Sequence, residues 1–188
     1  MYQETIEKCA AVAARIKNTS ANNPLSFWIG SLMAGAYVGL GIILIFTLGN
    51  LVDPAIRPLV MGATFGIALT LVIIAGAELY TGHTMFLTFG VKTGKLNSTQ
   101  AVGILAQSWT GNLLGSIVVA YLFYLGGGGQ ILPIDGSLVH KVALAKTTAP
   151  ALVLFAKGIL CNWLVCLAIW MCQRVEGDRK STRLNSSH

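Results

Sequence analysis

Four long apolar stretches dominate the pattern of hydrophobic and polar positions along the chain. They cover approximately residues 27–51, 59–91, 104–125 and 150–173. A helix needs about 20 apolar residues to cross the roughly 30 Å hydrocarbon core of a bilayer. The pattern therefore predicts membrane-spanning helices, and the second stretch is too long to be one simple span.

Polar residues interrupt the second stretch at membrane depth. Residues 74–84 read IAGAELYTGHT, which places Glu78, Gly82, His83 and two threonines inside an apolar run. Backbone that leaves the helix in hydrocarbon survives only where it lines a cavity or is covered by other helices. We expect this helix to break around residues 79–83, and the break to line a pore or a binding site.

The two ends of the chain differ from the transmembrane domain, which we assign to residues 24–177. Within residues 1–23, Ile6, Ala10, Ala13 and Ile16 recur at helical spacing, a pattern typical of an amphipathic helix lying at the membrane interface. Residues 178–188, with the sequence DRKSTRLNSSH, are polar and without periodicity. We interpret this last segment as a foreign or disordered tail.

Composition and charge agree with a membrane protein. Of the 188 residues, 54% are hydrophobic and 11% are charged, whereas a soluble domain carries about 25% charged residues. The net charge of +6 is spread over the ends of the spans, where cations suit anionic lipid headgroups, so we expect a lipid bilayer and no nucleic acid as partner. Basic residues favour the side of the N-terminus, which predicts a cytoplasmic N-terminus: Lys8, Arg15, Lys17, Lys92, Lys95 and Arg174 against Arg57, Lys141 and Lys146.

Small residues recur four positions apart on three of the spans. Such spacing lets helix backbones approach closely in a membrane, although glycine is also simply common in membrane helices. Because three pairs occur, we predict tight helix packing at Gly35 and Gly39, Gly62 and Gly66, and Gly111 and Gly115.

The sequence offers little support for catalysis or metal binding. The four cysteines show no C-x-x-C spacing. Glu78 and His83 would lie about 140° apart on a continuous helix, so we do not expect them to share a metal. No nucleophile and base stand at a recognisable spacing. We expect no enzyme activity, no cofactor and no metal.

A site for a small anion has better support. Where a transmembrane helix breaks, its second half begins with unpaired N–H groups and the positive end of the helix dipole, which attract anions. We expect Gly82 to permit the turn, Thr81 and Thr84 to add hydroxyl donors, and Glu78 to brace the loop by accepting hydrogen bonds from its N–H groups. Lys146 is expected to concentrate anions at the outer side.

Two segments carry a family resemblance. Residues 75–82 (AGAELYTG) and 158–168 (GILCNWLVCLA) resemble the signature segments of the formate/nitrite transporter family, and residues 84–90 (TMFLTFG) are similar to its nitrite-channel branch. The resemblance covers residues 1–177. One departure is Tyr80, where the family usually has phenylalanine.

The resemblance implies an all-α, aquaporin-like bundle of six helices built as an inverted repeat, assembled as a homopentamer in the bacterial inner membrane. Thr81 would then be the loop hydroxyl that faces the pore. The other positions carried over are the cytoplasmic constriction of Leu69, Leu79, Tyr80 and Val165, the outer constriction at Phe65, and the pore-associated Lys146 and Asn162.

Four of the six spans that the resemblance implies are present, and the fifth helix, with the family's central histidine, is not. We therefore expect a truncated channel for small monovalent anions, nitrite or formate, that does not transport by itself, since moving a bare anion through apolar constrictions costs several kcal/mol. Two alternatives stay open. One is a channel for neutral molecules such as water or ammonia, and the other is a non-transporting membrane protein whose broken helix binds a partner.

Overall fold

Helices make up all of the regular structure in the described part of the chain. The computed structural model describes the backbone of residues 2–132 and 137–185 and the side chains as far as residue 175. Its elements are α1 (Gln3–Asn22), α2 (Pro24–Leu51), α3 (Arg57–Ala75), α4 (Tyr80–Lys92), α5 (Ser98–Leu125), α6 (Leu138–Thr148) and α7 (Ala151–Asn185). The predicted all-helical fold is confirmed.

Among the residues that the structure describes, four helices are long and apolar enough to cross a membrane. They are Pro24–Leu51, Arg57–Ala75, Ser98–Leu125 and the Ala151–Val175 part of α7. The second predicted span is indeed broken, into α3 and α4. The break covers residues 76–79, so it begins three residues before the predicted 79–83.

Side-chain caps fix where two of the spans begin. The Asn23 side chain accepts a hydrogen bond from the Ser26 N–H at 3.3 Å, and Pro24 occupies the first turn of α2. At the start of α5, the Asn97 side chain accepts from the Gln100 N–H at 2.8 Å, while the Gln100 side chain accepts from the Asn97 N–H at 3.1 Å. Polar residues between the apolar stretches thus determine where α2 and α5 begin.

Glycines bring α2 and α5 into backbone contact. A Cβ at Gly35 would overlap the backbone of Asn112, and one at Gly115 would overlap the backbone of Leu32. The expected close packing therefore holds for these two helices. It does not hold at the Gly62 and Gly66 pair, where a Cβ would meet nothing within 4 Å, because that face of α3 has no helix of the described chain against it.

The N-terminal helix packs on the side of the bundle where α4 ends. Cys9, Ala10, Ala13 and Ile16 of α1 are buried, and the apolar cluster there includes Phe27, Leu87 and Leu96. The location of α1 at the membrane interface stays a prediction.

The C-terminal segment has a helical backbone as far as it is described. Helix α7 continues to Asn185, so residues 178–185 extend this helix beyond the apolar span rather than forming irregular chain. Residues 186–188 of the predicted tail lie outside the described residues. The foreign origin of the tail stays a prediction.

Candidate functional site

The turn between α3 and α4 is made by Gly76. Its φ of +77° lies in the left-handed region that glycine adopts without a steric penalty. The sequence had indicated Gly82 for this role, which is wrong, because Gly82 lies inside α4 and is buried. A Cβ at Gly82 would stand 2.8 Å from Cδ1 of Ile169. Gly82 therefore lets α4 and α7 pack closely, while Gly76 reverses the chain.

Backbone groups of the break are satisfied by α2 and α5. The Glu78 N–H donates to the Gly30 carbonyl at 3.1 Å. The Asn112 side chain accepts from the Tyr80 N–H at 2.9 Å and donates to the Glu78 carbonyl at 3.0 Å. Sequence reasoning missed Asn112, although a carboxamide in the middle of a membrane-spanning helix was a signal that could have found it. These bonds hold the non-helical backbone at membrane depth.

The Glu78 carboxylate binds a side chain instead of the loop N–H groups that we expected it to brace. Its Oε2 lies 2.8 Å from Nε2 of His83. The His83 ring is 3% exposed and stacks on Phe27, with the ring centroids 5.9 Å apart. The break brings the two residues together, so the separation expected on a continuous helix was wrong. In the described part of the chain, no group of three or more potential metal ligands occurs.

Helix α4 presents free N–H groups at its first turn. Its first helical hydrogen bond runs from the His83 N–H to the Leu79 carbonyl at 3.0 Å, so the N–H groups of residues 80–82 have no acceptor within the helix. Asn112 occupies the Tyr80 N–H. Among the described residues, the N–H groups of Thr81 and Gly82 have no acceptor. They are donors at the positive end of the helix dipole.

A mainly apolar cavity of about 340 Å³ opens at this helix end. We name it the Thr81 cavity. The six carried-over constriction and loop residues all line it, and they come from α3, the break, α4 and α7: Phe65, Leu69, Leu79, Tyr80, Thr81 and Val165. Trp109, Asn112 and Cys161 also contribute to the wall. The structure thus brings together residues that are up to 100 positions apart in the chain.

Asn162 joins α7 to α4 beside this cavity. Its Nδ2 donates to Oγ1 of Thr84 at 3.0 Å, and the Cys166 thiol donates to the Thr81 carbonyl at 3.4 Å. Asn162 lines an adjoining open cavity of about 670 Å³, together with Tyr80, Thr81 and Thr84. Asn162 therefore lies beside the Thr81 cavity, and its part in a pore stays a prediction.

Lys146, which the sequence predicts to attract anions, lies away from these cavities, as does Lys157 in the last span. Lys146 is exposed in the last turn of α6, and Lys157 is exposed on α7. Neither lines the Thr81 cavity or the adjoining one. The structure does not place Lys146 at the break.

A second cavity lies on the other side of the break. This cavity of about 370 Å³, which we name the His83 cavity, is lined by Arg15 of α1, Glu78, His83 and Gln173 of α7. Leu79 lines both the His83 cavity and the Thr81 cavity. The break therefore separates a cavity beneath α1 with a mixed polar and apolar lining from the mainly apolar Thr81 cavity.

Comparison with known proteins agrees with this geometry. The family model described as formate/nitrite transporter matches residues 3–181. The chain belongs to the formate/nitrite transporter family. Its fold is that of the family as well, since a solved structure titled "FNT family ion channel" superposes with a TM-score of 0.87 at 73% identity, covering 90% of this chain and 68% of that chain.

Curated members of the formate/nitrite transporter family include close relatives of the chain. The nitrite transporter NirC of Escherichia coli (strain K12) is 72% identical over 180 residues, which are 96% of this chain and 67% of that protein. The protein of the same name from Salmonella typhimurium is also 72% identical, with 66% of its length covered. The formate channel BtFdhC of Bacillus thuringiensis is 34% identical over 170 residues. The chain spans about two thirds of the length of these relatives, and it is a membrane protein of a transporter family.

Proposed function

We propose that the chain builds the anion path of a nitrite channel in the bacterial inner membrane, with formate as a second permeant anion. The observation that carries the proposal is the first turn of α4, where Thr81, with its hydroxyl and its free N–H, stands at an apolar cavity. Donors at a helix N-terminus bind anions without a metal or a fixed cation. The names of the relatives identify nitrite as the anion to test first.

The apolar wall and the donors act together on the permeant ion. Phe65, Leu69 and Val165 strip water from an ion that enters the Thr81 cavity, at a cost of several kcal/mol. A hydrogen bond to a charged group stabilises by about 1.5–3 kcal/mol, so the hydroxyl and the N–H of Thr81 offset much of that cost. A small planar anion fits this balance, whereas a larger ion would need more donors than the turn supplies.

Assembly and orientation follow from the surface of the chain. We place α1 in the cytoplasm, with the His83 cavity at the cytoplasmic entrance, because the basic residues favour that side. Large apolar side chains are exposed along α5, including Ile117, Tyr121 and Tyr124. Such a surface suits contact with lipid and with further copies of the chain in a homopentamer.

A channel for neutral molecules is the second candidate, and the apolar lining of the Thr81 cavity favours it. Water or ammonia would cross without the desolvation cost of an ion. The two candidates differ in what Thr81 does. An anion channel needs its donor, and a neutral channel needs chiefly the space.

Transport by vesicles tests the proposal. The protein to use is a hybrid in which residues 1–177 of this chain replace the matching part of the Escherichia coli nitrite transporter, so that the rest of the relative is present. Thr81→Ala should lower nitrite flux about 10- to 100-fold, the equivalent of one lost charge-assisted hydrogen bond. Thr81→Ser, which keeps the hydroxyl, should retain most of the flux.

The controls separate the candidates. Thr47→Ala removes a hydroxyl that bonds only its own helix, at the Ile43 carbonyl, and should leave flux unchanged. Unchanged nitrite flux in Thr81→Ala with altered water permeability would favour the neutral channel. Unchanged flux of both would contradict a channel role for this site. The 188-residue chain assayed beside the hybrid tests the expectation that it does not transport by itself.

A further inference from the structure

The side chain of Asn112 hydrogen-bonds to several elements around the break. Its carboxamide has four hydrogen-bonding positions, and three are used, all by backbone groups. Nδ2 donates to the Ser31 carbonyl of α2 at 2.8 Å and to the Glu78 carbonyl at 3.0 Å, and Oδ1 accepts from the Tyr80 N–H at 2.9 Å. One side chain of α5 therefore joins α2, the break and the start of α4.

The two bonds to the break have a specific geometry. They reach the peptide groups on either side of Leu79, which has an extended backbone with φ −87° and ψ 122°. In an extended residue the preceding C=O and the following N–H point to the same side, as in a β-ladder. The C=O and N–H of a carboxamide also lie side by side, so Asn112 pairs with Leu79 as a neighbouring strand would. This pairing needs both a donor and an acceptor.

Close packing leaves Asn112 little freedom to shift. A Cβ at Gly35 would overlap the Asn112 backbone, and a Cβ at Gly111 would overlap Ser31. The backbone of α5 is thus fixed against α2 at the position from which the carboxamide reaches the break. Fixing Leu79 in turn fixes the direction in which α4 starts, and with it the hydroxyl and N–H of Thr81.

We propose that Asn112 is a positioning residue of the channel, and that its pairing with the backbone around Leu79 sets both the constriction and the place of the Thr81 donors. The proposal rests on the anion path described above. Asn112 also takes the Tyr80 N–H out of use, which leaves the hydroxyl and the N–H of Thr81 as the donors at the Thr81 cavity.

A double-mutant cycle in the hybrid tests this role. Asn112→Ala should lower nitrite flux at least tenfold and lower the preference for nitrite over the bulkier acetate. If Asn112 acts through Thr81, the variant carrying both Asn112→Ala and Thr81→Ala should be no worse than the poorer single variant. Losses that multiply in full would overturn the part of the proposal in which Asn112 places the Thr81 hydroxyl, and an unchanged preference for nitrite over acetate would overturn the part that concerns the constriction. Asn50→Ala is the control, because it also removes an amide bond to a backbone carbonyl, at Gln130, away from the site.

Hydrogen exchange at the Tyr80 amide provides a readout independent of transport. This amide should be protected in the parent hybrid, and it should exchange at least tenfold faster in Asn112→Ala and in Asn112→Leu. Equal exchange in the parent and in both variants would overturn the proposal. If Thr81→Ala leaves flux intact while the Tyr80 amide still depends on Asn112, the anion path fails and the positioning of the break stands. Asn112→Asp, which keeps the acceptor and loses both donors, should protect Tyr80 and still lower flux.

Discussion

Oε2 of Glu78 lies 2.8 Å from Nε2 of His83, although the two residues are five positions apart in the chain. A continuous helix would point them about 140° away from each other. The turn at Gly76 and the extended Leu79 return the carboxylate to the first turn of α4. The pair lies in the wall of the His83 cavity, which Arg15 of α1 also lines.

Glu78 is expected to stabilise the fold through this hydrogen bond. Glu78→Ala leaves Nε2 of the buried His83 without its partner, and Nδ1 has no partner among the described residues. The loss should lower the free energy of unfolding by about 1–3 kcal/mol. Glu78→Gln keeps an oxygen that accepts from Nε2 and should stay within about 1 kcal/mol of the parent. Thermal melts in detergent measure the difference, and equal melting temperatures for the two variants would contradict this role.

Gly76 is expected to be the glycine that the break requires. Gly76→Ala should destabilise by about 1–2 kcal/mol, because its φ of +77° strains a residue with a Cβ. No atom lies within 4 Å of the position that the Cβ would take, so the cost is one of backbone conformation. Gly82→Ala should cost less, since it meets only the flexible end of Ile169 and gains helix propensity. Melting temperatures of the two variants, measured together with their nitrite flux, show whether Gly76→Ala is the more destabilising substitution.

The fold and the site were predictable to different degrees. The four spans follow from long apolar runs, which need no knowledge of tertiary contacts. The place of the break was less certain, because Gly76 and Gly82 both stand near it and only the folded backbone shows which one has a positive φ. The residues around the Thr81 cavity came from the family resemblance, not from periodicity.

Asn112 and the Glu78–His83 pair were missed for physical reasons. The bonds of Asn112 to the break join residues 32 and 34 positions apart, and no local pattern encodes such a contact. The pair was excluded on the geometry of a continuous helix, which does not apply across a break. A polar side chain in an apolar span is the signal that both cases share.

Chemical modification of the Cys161 thiol is expected to block the pore. It is exposed and lines the Thr81 cavity, so a small water-soluble methanethiosulfonate should modify it and block flux. Cys9 is fully buried in α1, and burial raises the pKa of its thiol to about 11. Because the thiolate is the reactive form, labelling of Cys9 at pH 8 should be negligible and should increase only as the pH approaches 11. Mass spectrometry of labelled peptides shows whether Cys161 is labelled before Cys9. A block of flux that persists in Cys161→Ser would contradict the prediction that Cys161 lies in the pore.

Lys146 is expected to act on anions at a distance. It lies exposed in the last turn of α6, away from both cavities, and no ion pair holds it within the described residues. A charge placed this way raises the local concentration of anions through a field that salt screens. Lys146→Gln should therefore lower nitrite flux by about twofold to tenfold near 10 mM ionic strength, where the Debye length is about 30 Å, and have little effect at 150 mM, where it is about 8 Å.

The matched control for Lys146 is Lys92→Gln, which removes the same charge from the end of α4 on the predicted cytoplasmic side. It should leave flux from the outer side unchanged at both salt concentrations. A loss in Lys146→Gln that is the same at 10 and 150 mM would show that Lys146 contacts the ion directly. In that case the residue would belong to the pore, as the family resemblance implied, and its exposed position on α6 would have to change when the chain assembles.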